Sequence, residues 1–203
     1  MAEGQRLVRV HDQSRHPAAF NPTPRPAPQH GEAARGGRFD SADGVYAYLY
    51  AGLSHKAAFA ESYGRDLDYT TPGPRPLPRF RWEGKAVTVC VTTKRLQLVY
   101  VQAKGAQQLG QDDWITRCDE DGYPRCRQWA AAIKRWSPGA DGLVWRSKRD
   151  PNEQVLALWG DPATAETGCG LIEATHGTYP LAHGLGKEFL EEFLTDWRLY
   201  LEP

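Results

Sequence analysis

The sequence predicts a single domain of mixed α+β class, with many short strands and about three helices. Three observations lead there. Short strand-like runs recur at residues 6–11, 45–51, 86–93, 96–103, 143–147 and 154–160. Other stretches, above all 123–136 and 187–201, carry apolar residues at helical spacing. At 203 residues the chain is long enough for one proper core and short for two, and no internal repeat divides it.

The elements follow in order. RLVRVH (6–11) alternates loosely between apolar and basic groups, so as a strand it puts Arg9 and His11 on one face and Val8 and Val10 on the other. Residues 12–35 are rich in Pro, Ala and Gln and read as a surface loop able to drape over a site. Val45 to Ala51 as a strand sets Tyr46, Tyr48 and Tyr50 on one face. Ser54 suits the N-cap of the helix that follows, and Ala57 to Ala60 are compact and helix-compatible. Glu61 then falls in the last turn, where a carboxylate opposes the helix dipole, so its reason should lie outside the helix.

Residues 64–84 form a Pro- and Gly-rich connection, of which TTPGPRPLPR is neither helix nor central strand. AVTVCVTT (86–93) and LQLVYVQA (96–103), joined by Lys94 and Arg95, read as a hairpin. Tyr123 to Trp136 is an amphipathic helix with Cys126, Trp129, Ile133 and Trp136 as an inner, largely aromatic stripe, a core reading preferred to a ligand cage. After the turn SPGADG come strands LVWRS and QVLALWG, a last strand at GLIEATHG, and a packing helix from Lys187 to Leu201.

Composition removes several classes of function. Lys plus Arg equal Asp plus Glu at 25 each, so there is no net field to draw in nucleic acid or an anionic membrane. No apolar run approaches the ~18 residues of a spanning helix, and MAEGQRLVRVHD lacks the apolar centre of a secretion signal, so a cytoplasmic location is expected. The four cysteines form no CxxC pair, Cys118 and Cys126 are eight positions apart, and the six histidines make no HExxH pattern. No metal site is expected, and the thiols read as reduced and structural.

The stretch Gly36 to Gly64 concentrates the chemistry: a glycine-flanked Arg38, tyrosines at every second position, and Glu61. A cation, aromatic faces and one acid suit a charged, partly aromatic ligand. Taken singly, each residue has a plainer reading. Glu61 would be a solvated helix glutamate, Tyr50 a core ring, Arg9 a surface ion pair, Ser147 a strand-end turn former, and His11 and His55 satisfied structural histidines.

In combination the residues stop being anonymous. Arg9 in LVRV, Arg38 in GGRF, Tyr50 and Glu61 in YAGLSHKAAFAE, the helix YPRCRQWAAAI, and Ser147 in DGLVWRSKRDPNEQVLALWGD stand in an order that resembles the RES domain, a family named for its Arg, Glu and Ser. Characterised members act mainly as toxins of bacterial toxin-antitoxin pairs. The whole chain, 1–203, reads as one RES-like domain, with core motifs over 6–161, a long insert between Glu61 and the helix at 123, and a C-terminal extension over 162–203.

The resemblance implies a fold similar to ADP-ribosyltransferases of the diphtheria-toxin kind: a central, mostly antiparallel split sheet flanked by helices. It implies NAD as substrate, with no bound cofactor, and cleavage of the nicotinamide–ribose bond by hydrolysis or phosphorolysis, or with transfer of ADP-ribose to a protein acceptor. It also implies a cognate antitoxin that blocks the NAD pocket. On the same basis Glu61, Tyr50 and Arg38 are catalytic candidates, and Arg9, Arg38, Tyr48, Tyr50 and Ser147 are NAD-binding candidates, with Tyr46 in reserve.

The chemistry fits these residue types. Loss of neutral nicotinamide leaves positive charge on the ribose, which a carboxylate stabilises. A tyrosine face suits the cationic ring, and arginine's planar fork matches pyrophosphate oxygens. The glycines before Arg38 would let the backbone approach a ligand closely. The alternative is a non-catalytic module that keeps the NAD pocket, or only the scaffold. Nucleic-acid binding rests only on RPLPRFR and WRSKR and is opposed by the balanced charge.

Overall fold

β1 (Arg6–Asp12) and β2 (Ala47–Gly52) are neighbours in the middle of a seven-stranded sheet, yet they share a single register pair, Val8 with Gly52. On its other side β1 pairs along its whole length with β4 (Lys85–Thr92), and β2 does the same with β7 (Gln154–Gly160). The two halves of the sheet therefore part beyond Val8, which is the split expected. The computed structural model describes residues 1–29, 35–64, 67 and 72–202. Parts of the loop at 12–35 and of the connection at 64–84, namely 30–34, 65–66 and 68–71, lie outside the described residues.

With β5 (Leu98–Tyr100), β6 (Gly142–Arg146) and β8 (Ile172–Pro180), the sheet runs β5-β6-β7-β2-β1-β4-β8, and every neighbouring pair is antiparallel except β5 with β6. The expected hairpin is thus corrected, because β4 and β5 lie on opposite sides of the β2–β1 seam. Both edges of β4 are already taken, by β1 and β8. The chain leaves it through Thr93 N–H to Leu171 O and Leu96 N–H to Met1 O, and β5 pairs with β6 instead. Alternation identified both strands, but it carries no information on their partners.

Period-two alternation divides the core. Leu7, Ala47, Leu49, Ala51, Leu156 and Leu158 pack together on one face of the sheet. The other face carries two clusters. One joins Tyr46, Tyr48, Trp145 and Trp159 to Cys126, Ala130 and Ile133 of α5 (Tyr123–Trp136). The second joins Val8, Val87 and Val89 to Phe59 of α1 (His55–Tyr63) and to Leu190 and Phe193 of α6 (Gly184–Asp196). Each such side chain contributes ~1.5–3 kcal/mol on burial. Because the helices cover the two halves separately, the seam between them remains available as a site.

Two helix expectations need correction. In α5 the inner stripe is Tyr123, Cys126, Arg127, Ala130 and Ile133, whereas Trp136 is 62% exposed and packs edge-on against the half-buried Trp129. Sheet and loop claim the face that holds the polar Arg127, so Trp136 turns outward while Trp129 stays at the edge of the core. The C-terminal helix stops at Asp196, where Arg198 takes a positive φ of 52° and β9 (Leu199–Leu201) pairs in parallel with β3 (Arg75–Leu77). That strand, and a single helical turn α2 (Arg79–Trp82), also give the proline-rich connection more order than its composition foretold. Two further one-turn helices, α3 (Lys104–Gln108) and α4 (Trp114–Arg117), lead into α5. Among the described residues, no helix is long and apolar enough to cross a membrane.

Candidate functional site

A cavity of about 390 Å³ opens at the seam where β1 and β2 part, with Val10, Tyr48, Tyr50, Glu61, Arg38 and Trp145 among the residues on its walls. A smaller recess of about 50 Å³ shares Tyr50 and Glu61 with it. Arg25, Arg81 and Lys85 add positive charge to the larger cavity, partly offset by Asp12, which pairs with Lys85 at 3.1 Å.

Glu61 enters this cavity because of how α1 is built. Ser54 caps the helix, accepting the Ala57 N–H at 2.9 Å, and two turns later Glu61 lies at the end facing the seam. The dipole gives it nothing there, and its partner comes from another element. Ser147, buried just beyond β6, donates its hydroxyl to Glu61 Oε1 at 2.7 Å. The same Ser147 oxygen accepts the N–H groups of Arg149 at 3.2 Å and Asp150 at 3.4 Å, so the turn after β6 holds the serine that holds the carboxylate.

Tyr50 is fixed just as closely. Its hydroxyl donates to Asp40 Oδ1 and accepts the Phe39 N–H, both at 2.8 Å, while Asp40 Oδ2 accepts the Gly37 N–H at 2.8 Å. Burial, reinforced by the Asp40 charge, pushes the phenol pKa well above its ordinary value. The ring is therefore a neutral aromatic wall, held edge-on to Trp145 and to Tyr48. A Cβ on Gly37 would sit 2.5 Å from the Tyr50 hydroxyl oxygen, and one on Gly36, at φ +89°, would sit 2.4 Å from Asp40 Oδ2. The glycines before Arg38 thus make room for the protein's own Tyr50 and Asp40, where the sequence had them admitting a ligand. Gly37→Ala is expected to cost about 1–3 kcal/mol of stability, as overpacking does. An unchanged urea midpoint would show that the loop yields freely.

Arg38 is 6% exposed, donates Nη2 to Cys118 O at 2.9 Å and lies over the Tyr123 ring at 5.2 Å. Its Nε is buried with no hydrogen-bond partner among the described residues. Burial opposes its charge, but Tyr123, Glu61 and the nearby thiols outweigh that and raise its pKa, so the cation is secure. That cation stands beside the Glu61 carboxylate and the Tyr123 ring.

Not every sequence candidate reaches the cavity. Tyr48 lines it, with its hydroxyl tied to Asn21 and Thr23 O. Tyr46 is fully buried in the core, bonded to the carbonyls of Phe39 and Asp40. Arg9 shares its strand face with Leu7 and gives Nη1 to the carbonyls of Pro17 at 2.7 Å and Ala19 at 2.5 Å, lining the smaller recess and not the larger cavity. Alternation along β1 is the reason, since Val10, and not Arg9, faces the helices.

Four residues that sequence reading did not single out complete the surroundings. Asp40 closes the GGRFD segment, and Trp145 stands two places before Ser147, so both lay next to recognised positions. Tyr123 and Arg127 are brought in by α5, and no local pattern marked them.

His11 also borders the cavity, with Nε2 against Thr88 Oγ1 and Nδ1 against Asp12 O, each at 2.8 Å. His55 stacks on Phe189 at 4.2 Å and leaves a buried Nε2 without a partner, so it is packed but not satisfied. Burial lowers both pKa values from the ordinary 6.5. The unfolded chain then binds more protons than the folded one as pH falls below about 6.5, so this contribution is complete above that pH and is lost on acidification. The melting temperature is expected to drop between about pH 7 and pH 5, with a shallower slope in His11→Gln. Identical slopes for the two proteins would remove His11 from this account.

Comparison with known proteins now bears on the same residues. The family model for the RES domain matches residues 6–182, a span that includes every candidate above. The chain belongs to the RES domain family. That span runs beyond Asp161 and takes in β8, which pairs with β4 inside the central sheet. The crystal structure of the M. tuberculosis MbcT-MbcA toxin-antitoxin complex contains a chain of similar fold, with a TM-score of 0.59 and 12% identity over 94% of this chain and 90% of that one. No curated protein sequence matches. In this RES domain Arg38 and Glu61 line one cavity, Ser147 bonds Glu61 from behind it, and Arg9 supports a neighbouring loop.

Proposed function

We propose that the cavity binds NAD and breaks its nicotinamide–ribose bond, making this RES domain an NAD-consuming toxin. The observation that carries the reading is the Ser147–Glu61 pair at 2.7 Å, which aims a carboxylate into a cavity also lined by Arg38 and Tyr50. As nicotinamide leaves, positive charge grows on the ribose, and a pre-oriented carboxylate stabilises it without reorganising. Tyr50, backed by Trp145, offers an aromatic wall to the cationic nicotinamide ring before it departs. Arg38, which lines the cavity and keeps its charge, supplies a cation for a ribose or phosphate oxygen. Arg9 acts as a strut for the loop at 17–19, and Ser147 acts through Glu61.

Water, inorganic phosphate and a protein side chain differ only in which nucleophile meets the cation. Membership of the RES family and likeness to the toxin of a toxin-antitoxin complex support a cognate antitoxin as partner. Nicotinamide release from NAD by the purified protein, with and without phosphate, tests the reading. Free ADP-ribose marks hydrolysis, ADP-ribose 1″-phosphate marks phosphorolysis, and label retained on protein marks transfer. Tight NAD binding without any nicotinamide release would favour the non-catalytic module instead.

A further inference from the structure

Cys118 and Cys126 stand with their sulfurs 3.3 Å apart, although eight residues separate them. Gly122 makes this approach possible, since a Cβ there would lie 2.8 Å from both Cβ and Sγ of Cys118. The turn between α4 and α5 therefore folds tightly over the first cysteine. Cys126 is buried and also faces Ile115 O at 3.4 Å, whereas Cys118 is partly exposed and opens onto a small recess shared with Arg38, Glu61 and Lys148. One sulfur is accessible and one is hidden directly behind it. The carbonyl of the accessible one is the acceptor that holds Arg38 Nη2.

We infer that Cys118 and Cys126 form a peroxide-oxidisable dithiol whose closure to a disulfide displaces the Cys118 carbonyl and loosens Arg38. The surroundings favour this pair over the other thiols. A hydrogen bond from Cys126, helped by the Arg38 and Lys148 charges, holds the Cys118 thiol below its usual pKa against the opposing effect of burial. Burial instead raises Cys90, to about 11, and Cys169. The Cys118 thiolate attacks one oxygen of a hydroperoxide, the O–O bond breaks, and with one proton taken up the products are a sulfenic acid and water or an alcohol. The Cys126 thiol then attacks the sulfenic sulfur, its proton leaves with the hydroxyl as water, and the S–S bond forms. Two electrons pass from the sulfurs to the peroxide. Closing 3.3 Å to the ~2.05 Å of a disulfide requires the turn to move, and Arg38 is bonded to that turn.

The test uses the full chain treated with hydrogen peroxide and then alkylated. Mass spectrometry should find Cys118 linked to Cys126, with the link absent in Cys126→Ser and removed by a dithiol reductant. Hydrogen exchange of amides 36–40 should speed up at least severalfold on oxidation and recover on reduction, a readout that needs no substrate. The effect on turnover rests on the NAD reading: nicotinamide release should fall about tenfold, the size expected for one lost charge-assisted hydrogen bond, and return with the reductant. Both thiols still free, or Cys118 driven to sulfinic acid without a link, would overturn the inference, as would a link that leaves exchange at 36–40 unchanged. If exchange responds as expected but the reduced protein never releases nicotinamide, the failure belongs to the NAD reading alone.

Discussion

Glu61→Gln is expected to lower nicotinamide release by about 10²–10³-fold, the range seen when one oriented electrostatic stabiliser of a transition state is removed. The substitution keeps the length of the side chain and an oxygen able to accept the Ser147 hydroxyl, so the 2.7 Å contact and the end of α1 can persist. What disappears is the negative charge beside the reacting ribose. The unfolding midpoint should therefore move little while turnover collapses. NAD affinity should change less than turnover, because the carboxylate matters most when positive charge is fully developed. Arrest of cell growth on expression should vanish in parallel. A variant that releases nicotinamide at the wild-type rate would remove Glu61 from the mechanism and leave the cavity without a stabiliser for the cation.

Arg127→Met should have the largest effect on stability, a loss of about 3–5 kcal/mol, since several buried carbonyls would each be left unsatisfied at about 1–3 kcal/mol. Arg127 is 1% exposed, and its bonds go to backbone carbonyls. Nε donates to Gly37 O at 3.1 Å, Nη1 to Arg25 O at 2.9 Å and Pro26 O at 3.4 Å, and Nη2 to Arg35 O. One guanidinium on α5 thus gathers both described ends of the loop that carries Arg25 and leads to Arg38. Methionine fills similar space but leaves those carbonyls without their donor. For a chain of this size the loss corresponds to roughly 10 °C in melting temperature. Arg127→Lys should recover only part of it, since an ammonium cannot reach carbonyls on several sides as a planar fork does. A melting temperature unchanged in Arg127→Met would mean that the loop is held elsewhere.

The chain's local signals were sufficient for its elements. Alternation located β1, β2, β4, β6 and β7 to within a residue or two, a serine cap and compact helix formers located α1, and helical spacing located α5. These patterns arise from contacts between a residue and its near neighbours in the chain, so a linear reading can recover them. The ordered Arg38, Tyr50, Glu61 and Ser147 were legible for another reason, because their types and sequence match a family pattern.

What tertiary structure alone decided is which surfaces meet. The hairpin failed because β4 already had both edges paired, a fact set by β1 and β8 at distant positions. Trp136 was assigned to the core by helical spacing, yet the inner face of α5 was needed by Arg127, whose acceptors lie some 90 to 102 residues away. Arg9 was placed at the site by its motif, and the pleat of β1 turned it to the opposite face. Asp40 was not singled out at all, yet its two oxygens hold Tyr50 and Gly37. In each case sequence fixed the kind of group and its local direction. Long-range pairing, which hydrophobic pattern leaves undetermined, then selected the partner and placed the cavity where β1 and β2 separate.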